Sequence, residues 1–481
     1  GLPTPTEVHR LRDFLDSHAY STELLVARLG QARPPNPEEA QHVFDNASEI
    51  TTENLLVRLF LLGSAIDEEV TREFLPESLI ELCLAHGLLG VANGRMRAQI
   101  VIVPVDELLF ASDAFHILGG DAAAGFVLPA STHSANFLRF LTMRSPVESA
   151  LDLGCGCGIQ ALFAARHADR VIATDISEEA VRYTEFNARL NGIGNVECRI
   201  GNLFEPVGIE RFDLIISNPP FVIGPGQIFE YRDNALELDE FCGALVRDAP
   251  EHLNAGGHLQ MLCEWVEIEG QAWPDRLAEW IRGCDAWILH STPITPGDYV
   301  QRRSGDISGE SVSTGSVDDW QAYFEQHAVT AVHPGVLNLR RRDGETWLHI
   351  QNLSADVTRP AGEAIAAGIA AVDFIEACDD ESMLQAYFKL ADALAAAEMK
   401  EDDTETPGIY LRLDNGLSTD AEIDAAVAAF LNLFDGKRSV IACIEEFAKA
   451  TDADKDKLSG DLLSILRVMV SSGFLVPDDF E

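Results

Sequence analysis

Phe212-Asp213-Leu214-Ile215-Ile216-Ser217-Asn218-Pro219-Pro220-Phe221-Val222 is an apolar run that stops against two consecutive prolines. The run from Phe212 to Ser217 reads as a buried strand. Proline has no N–H to give a ladder, so the strand must end at Asn218. An Asn at the carboxyl end of a strand, two rigid residues and an aromatic form a device for holding a planar polar group. In open α/β sheets, ligands bind at that end of the strands. The fold expected from this stretch is therefore α/β, a Rossmann-like doubly wound sheet.

Working outward, strand-like runs recur at Ala150–Leu153, Arg170–Thr174, Val196–Ile200, Gly257–Cys263, Ala286–His290 and Val329–Leu339. Helical patterns lie between them, notably 160–167, 178–191, 236–251 and 273–282. With Phe212–Ser217 these make seven strands, and the alternation is that of a seven-stranded parallel sheet with crossover helices. The polar stretch from Thr292 to Asp318, rich in Gly, Ser, Thr and Pro, reads as a long loop and a candidate lid.

A second informative stretch is Leu151-Asp152-Leu153-Gly154-Cys155-Gly156-Cys157-Gly158-Ile159. A strand enters a glycine-rich turn that opens a helix, which lets backbone amides approach a ligand. The spacing is G-x-G-x-G, not the G-x-G-x-x-G of a dinucleotide site. A nicotinamide dehydrogenase is disfavoured on that ground. Cys155 and Cys157 lack the further ligands of a zinc site and read as small loop residues.

Asp175 closes the next strand, before Ile176 and the helix opener Ser177-Glu178-Glu179. An acid there is placed to accept hydrogen bonds from ribose hydroxyls. It equally suits the N-terminal turn of the helix. The third strand ends in Gly201-Asn202-Leu203, where a polar side chain and an apolar one can meet a base.

Taken in order, Asp152-x-Gly154-x-Gly156-x-Gly158, Asp175, Asn202 and Asn218-Pro219-Pro220-Phe221 resemble the motifs of class I S-adenosylmethionine-dependent N-methyltransferases of the N-P-P-[FY] branch. That branch includes release-factor glutamine methyltransferases and RNA base methyltransferases. The resemblance covers about residues 120–350. The stretch 185–195, with Asn187, Asn191 and Gly192, resembles the second helix of the group. The layout with a module on either side resembles that of actinobacterial methyltransferases.

The resemblance implies S-adenosylmethionine as cofactor and S-adenosylhomocysteine as product. It implies cofactor contacts from Asp152, Gly154, Cys155, Gly156, Gly158, Asp175, Ile176, Asn202, Leu203 and Asn218. It implies that the Asn218 side chain and the Pro219 carbonyl accept the two N–H groups of the methyl acceptor, with Pro220 rigid behind them and Phe221 stacking on the planar group. No strong base is needed, because alignment and electrostatics supply the rate. The segment Leu128–Ser134 resembles the one that covers the cofactor, and His133 there is a candidate base. Glu230-Tyr231-Arg232-Asp233 is a candidate for the substrate mouth. Phe221 stands where release-factor enzymes usually carry Tyr, and Asn202 where an acid is more usual.

The flanks differ from the centre. Residues 1–112 read as helices followed by a hairpin with its turn at Asn93-Gly94 and strands Gly90–Ala92 and Ala98–Val103, a winged-helix-like pattern. Residues 113–358 hold the methyltransferase-like domain. Residues 359–481 read as an acidic helical domain, again winged-helix-like, with an acidic loop at Met399–Thr406.

The chain has 35 Lys and Arg against 78 Asp and Glu, a formal net charge of -43. Such a surface repels duplex DNA and anionic membranes at long range. Arg302-Arg303 and Arg340-Arg341-Arg342 are the tight basic clusters, and pairing with nearby acids is expected of them. The nine scattered cysteines and the lack of a membrane-length apolar run suit a reduced, cytoplasmic protein. The expected acceptor is a protein, glutamine-type amide first, or a base in structured RNA, with a small molecule third. A non-catalytic scaffold that binds S-adenosylmethionine is the alternative of another class.

Overall fold

The computed structural model describes residues 3–30, 49–114, 125–130, 132–226, 236–305, 317–353, 357, 359–399, 409–417 and 419–477. Its centre is an eight-stranded sheet, one strand (Leu348–Asn352) more than the seven expected, and it is mixed and not wholly parallel. The strands are β1 (Val147–Leu153), β2 (Ala168–Asp175), β3 (Val196–Ile200), β4 (Phe212–Ser217), β5 (Leu253–Ile268), β6 (Cys284–His290), β7 (Val329–Arg341) and β8 (Leu348–Asn352). Their order is β8-β6-β7-β5-β4-β1-β2-β3. β1 pairs in parallel with β2 on one side and β4 on the other, and β4 in parallel with β5. β7 runs antiparallel to β5. The strand order therefore reverses at β1 and β4, and a crevice opens beyond their carboxyl ends.

The parallel strands are apolar because both faces are covered. Leu151, Val171, Ile172, Ile215 and Ile216 are fully buried. The helices that cover them include α1 (Ile159–Ala164), α2 (Glu178–Leu190), α3 (Glu240–Asp248) and α4 (Trp273–Trp280). α2 starts at Ser177, whose hydroxyl accepts the Ala180 N–H and caps the helix.

β4 and β5 end differently. Ser217 pairs with Met261, and the prolines then stop β4. β5 runs on to Ile268, paired with β7 over Leu262–Ile268 and Val329–Val336. This two-stranded arm projects beyond the sheet at the end where the crevice lies. It carries α5 (Pro296–Gly305) and α6 (Val317–Gln326).

The predicted loop from Thr292 to Asp318 is thus helical at both ends, and residues 306–316 lie outside the described residues. The helix at 296–305 has a physical cause that composition hid. Thr295 accepts the Asp298 N–H and donates to its carboxylate, Pro296 suits the first turn, and Tyr299 and Val300 bury themselves in the arm.

The N-terminal segment belongs to the same compact unit as most of the sheet. Helices at Thr52–Leu56 with a π turn at Val57–Leu61, then Glu68–Phe74 and Glu77–Ala85, precede a hairpin of Leu89–Ala92 and Arg95–Ala98. Ile66–Asp67 adds a third strand against Arg95–Met96. The turn is at Asn93-Gly94, both with positive φ. The second strand is shorter than the one expected at Ala98–Val103. The chain turns at Gln99 into a separate hairpin, Ile100–Val105 with Leu108–Asp113, buried along its whole length.

The other compact unit takes in 140–145, 289–291 and 349–481. A helix at Gly362–Ala377, helices at Val440–Thr451 and Lys455–Ser471, and a sheet in which Tyr387–Leu390 lies between Asp435–Ser439 and Leu475–Pro477 enclose a core of Phe388, Phe430, Phe434 and Leu466. Of the expected acidic loop, Met399 ends a strand and the rest lies outside the described residues. Among the described residues, no helix is long and apolar enough to cross a membrane.

Candidate active site

The turn after β1 is built from three glycines in the left-handed region, with φ of 79° at Gly154, 53° at Gly156 and 81° at Gly158. A side chain would be strained at each. A Cβ on Gly154 or Gly156 would meet nothing within 4 Å, whereas one on Gly158 would lie 2.8 Å from Thr184. The first two leave room beside the backbone. The third lets α1 close onto α2.

Asp175, at the end of β2, ties this turn down. Its Oδ2 accepts the Gly156 N–H at 3.0 Å and its Oδ1 accepts the Ser177 N–H at 2.9 Å. The two readings of Asp175 are compatible: it steadies the entry to α2 and it also faces the cavity. Thr184 Oγ1 completes the turn by donating to the Gly156 carbonyl at 3.0 Å.

Asp152 sits underneath, 1% exposed, with Oδ2 accepting the Ala161 N–H at 2.8 Å. Burial, aided by Asp175, pushes its carboxyl up to about 7. Its Oδ1 is buried with no partner among the described residues. Cys155 and Cys157 are buried thiols, the latter pushed up to about 12 by burial. They are inert small residues of the turn.

A cavity of about 490 Å³ lies over the turn. Its floor is Leu153, Gly154, Cys155, Gly156 and Cys157, and its sides carry Asp175, Ile176, Asn202, Leu203, Asn218, Pro219 and Pro220. Ile176 is 63% exposed, unusual for so apolar a residue at a strand end, and both it and Leu203 line the cavity. Leu203 holds φ at 47°, a rare value for a leucine. The volume and the mostly apolar lining suit a small-molecule site. Among the described lining residues there is no Lys, Arg or His, and Asp175 is the sole carboxylate.

Asn218 is half-buried at the end of β4. Its Nδ2 lies 3.5 Å from Ser134 Oγ, and its Oδ1 is buried and meets no donor among the described residues. Ser217 anchors the strand end by donating to the Leu153 carbonyl at 2.8 Å.

The expected residues thus gather at one place, with four exceptions among those described. Asp152 and Gly158 are not among the cavity's lining residues and support the turn from behind. Phe221 is half-buried against the apolar cluster of α5, α6 and the arm. His133 is exposed and stacks on Phe137. Ser131 and Glu230–Asp233 fall outside the described residues. Of the basic clusters, Arg303 pairs with Glu264, and Arg340 and Arg342 pair with the buried Asp285.

Sequence reasoning missed two contributions. Leu128 and Pro129, from the segment expected to cover the cofactor, line the cavity together with Thr132, and beside them Phe126 and Val127 add a stretch of wall that was not foreseen. Asp113 fixes that wall, accepting the Val127 N–H at 2.8 Å and the Tyr183 hydroxyl at 2.7 Å. Burial raises the Asp113 carboxyl, against those two donors. Phe241, Ala244 and Leu245 of α3, with Leu236, close the opposite end. No local motif signals either group, because both come from segments brought in by packing.

An open α/β sheet with a cavity at its switch point, a glycine turn, a strand-end acid and Asn-Pro-Pro-Phe is the arrangement expected of a class I methyltransferase domain. Residues 132–267 match the family described as the methyltransferase small domain. The ribosomal protein uL3 glutamine methyltransferase of Bradyrhizobium diazoefficiens is 33% identical over 200 residues, 38% of this chain and 56% of that protein. The release factor glutamine methyltransferase of Aliivibrio fischeri is 44% identical over 80 residues, 16% and 28% of the two chains. The ribosomal RNA small subunit methyltransferase C of Klebsiella pneumoniae is 37% identical over 114 residues, 23% and 30%. The chain thus spans about half the length, or less, of these curated relatives. A solved Thermus thermophilus 16S rRNA N2 G1207 methyltransferase aligns at 18% identity over 45% of this chain and 58% of that one, with a TM-score of 0.27, too low to carry an argument.

Proposed function

We propose that this protein transfers a methyl group from S-adenosylmethionine to the nitrogen of a planar amide or exocyclic amine. The observation that carries this reading is Asn218 Oδ1, a buried acceptor that meets no donor among the described residues, on the wall of a cavity floored by the glycine turn. A buried polar atom left unpaired is costly unless a ligand satisfies it.

The residues present fit the cofactor. Gly154 and Gly156 leave their backbone open, Asp175 offers carboxylate oxygens for ribose hydroxyls, and Ile176 and Leu203 line the cavity with apolar side chains of the kind a base packs against. Asn202 stands at the rim, where an amide can meet a base edge. When bound, the cofactor supplies an electrophilic methyl on sulfur.

The acceptor nitrogen has its lone pair delocalised and is a poor nucleophile. Asn218 Oδ1 and the Pro219 carbonyl accept its two N–H bonds, which fixes the plane of the group and favours its rehybridisation toward the methyl. Pro219 and Pro220 keep that wall stiff. Phe221 is assigned the stacking role by resemblance alone. Positioning and preorganised acceptors account for the rate without a strong base.

A protein amide is the favoured acceptor. Two of the relatives are named as glutamine methyltransferases, and the described cavity lining has no cation to meet a phosphate. The net charge of -43 adds a long-range penalty for RNA. A base in structured RNA is the second reading, favoured by the ribosomal RNA relative.

The test has two arms. Calorimetry should show S-adenosylmethionine and S-adenosylhomocysteine binding, with Asn218→Ala close to the wild type. Tritiated methyl transfer into fractionated extract of a strain lacking the protein should label one fraction, and Asn218→Ala should lower it by roughly two orders of magnitude. Absence of binding, or a fully active Asn218→Ala, would defeat the proposal. The labelled fraction decides between protein and RNA.

A further inference from the structure

After the two prolines end β4, residues 221–226 form no strand and keep only an isolated bridge at Val222. Something else must hold them, because the wall that Asn218 and Pro219 present is only as firm as the chain that follows. That hold comes from α5, some 76 residues further along the sequence. The Ile223 N–H donates to Tyr299 Oη at 3.0 Å, and Tyr299 Oη donates to Glu264 Oε2 at 2.5 Å. Tyr299 is buried, and Glu264 is buried on the β5 arm. Arg303, one turn after Tyr299 on α5, pairs with the other oxygen of Glu264 and lies over the Tyr299 ring at 5.1 Å. Next to Ile223, Gly224 packs so close to α6 that a Cβ there would lie 2.6 Å from the Trp320 ring.

The chemistry of the hydroxyl is specific. It accepts one hydrogen bond and donates another, so a backbone amide and a carboxylate are satisfied by one oxygen. Phenylalanine has the same ring and neither capacity. Tyr299 is not among the residues lining the cavity.

We infer that Tyr299, braced by Glu264 and Arg303, is a positioning residue for methyl transfer: it pins Ile223 and thereby sets the geometry of Asn218-Pro219-Pro220-Phe221. This rests on Asn218 being the acceptor-binding residue. It assigns the arm and its helices the task of holding the acceptor wall, not the cofactor.

The test is Tyr299→Phe in the full chain, read three ways. Hydrogen exchange followed by mass spectrometry should show the segment 219–226 exchanging at least tenfold faster, with β1 and β2 unchanged. Calorimetry should give an S-adenosylmethionine Kd within twofold of the wild type. Tritiated methyl transfer into extract of a strain lacking the protein should fall at least tenfold. Glu264→Gln keeps an acceptor oxygen for Tyr299 and should retain most of the protection at 219–226. Should Tyr299→Phe fail to fold, Arg303→Met at its partly exposed position should give changes of the same sign and smaller size.

Unchanged exchange at 219–226 overturns the inference. So does faster exchange with undiminished transfer, which would leave Tyr299 a merely structural residue. A parallel loss of cofactor affinity also overturns it. A wild-type protein that binds the cofactor and labels no fraction defeats the proposed function instead, while the exchange arm still decides whether Tyr299 holds Ile223.

Discussion

Asp175 at the end of β2 accepts the Gly156 N–H at 3.0 Å, so the acid and the glycine turn, 19 residues apart, form one rigid unit. Its other oxygen accepts the Ser177 N–H. Replacing Asp175 removes both anchors together with whatever the carboxylate offers a ribose. Asp175→Ala should weaken S-adenosylmethionine binding by about 100-fold, in line with roughly 1.5–3 kcal/mol for hydrogen bonds to a charged group. Asp175→Asn keeps one acceptor and should fall between. Calorimetry with an Asp175→Ala affinity equal to the wild type would remove Asp175 from the site.

Gly158→Ala should destabilise the protein by about 1–3 kcal/mol. Its φ of 81° strains any side chain, and the new methyl would lie 2.8 Å from Thr184. Adding Thr184→Ala relieves the clash and not the backbone strain, so it should restore part of the loss. Urea unfolding of the single and double variants separates the two terms, and full restoration would mean that the backbone strain is negligible.

Asp152 carries a pH signature. Its folded pKa, about 7, is raised above the usual carboxylate value by burial. Between about pH 4 and 7 the folded state therefore binds more protons at this group than the unfolded state. Its contribution to stability then falls as pH rises through that window and stays low above it. Asp152→Asn keeps an acceptor for the Ala161 N–H and cannot ionise, so its stability relative to the wild type should rise from pH 5 to pH 8. Denaturant midpoints at the two values check this, and a pH-independent difference would show that Asp152 is ionised when folded at both.

Asn187 joins three pieces of structure. Its Oδ1 accepts the Ala111 N–H, and its Nδ2 donates to the Ala111 and Cys157 carbonyls, each at 2.8 Å. It therefore serves as an extra strand residue beside the strand at 108–113 while bracing the glycine turn. Asn187→Leu leaves those backbone groups without it and should cost about 2–4 kcal/mol. Asn187→Asp should do no better, since a carboxylate would face two carbonyls. Thermal unfolding measures both, and a loss below about 0.5 kcal/mol would be inconsistent with these bonds.

Much of the site was legible because its signals are local. Two prolines after an apolar run can only end a strand, and glycines at 154, 156 and 158 are needed where φ is positive. The strand-end positions of Asp175, Asn202 and Asn218 follow from the same runs. Placement was less legible than presence. Asp152 and Gly158 lie behind the turn, since a motif records which residues a turn needs and not which side faces the ligand. The Thr292–Asp318 stretch hid a helix, because its polar composition outweighed the Thr295 cap and the apolar pair Tyr299-Val300.

By itself the sequence determined seven of the sheet's eight strands, the glycine turn and the Asn-Pro-Pro-Phe strand end, since each is specified by backbone chemistry within a few residues. Only the tertiary structure decided what surrounds them. It brought Asp113 to Val127, Asn187 to Ala111 and Tyr299 to Ile223. Those bonds span from 14 to 76 residues of chain. They exist because buried backbone groups must find partners once the elements are packed, and packing, not neighbouring sequence, determines which side chain is within reach.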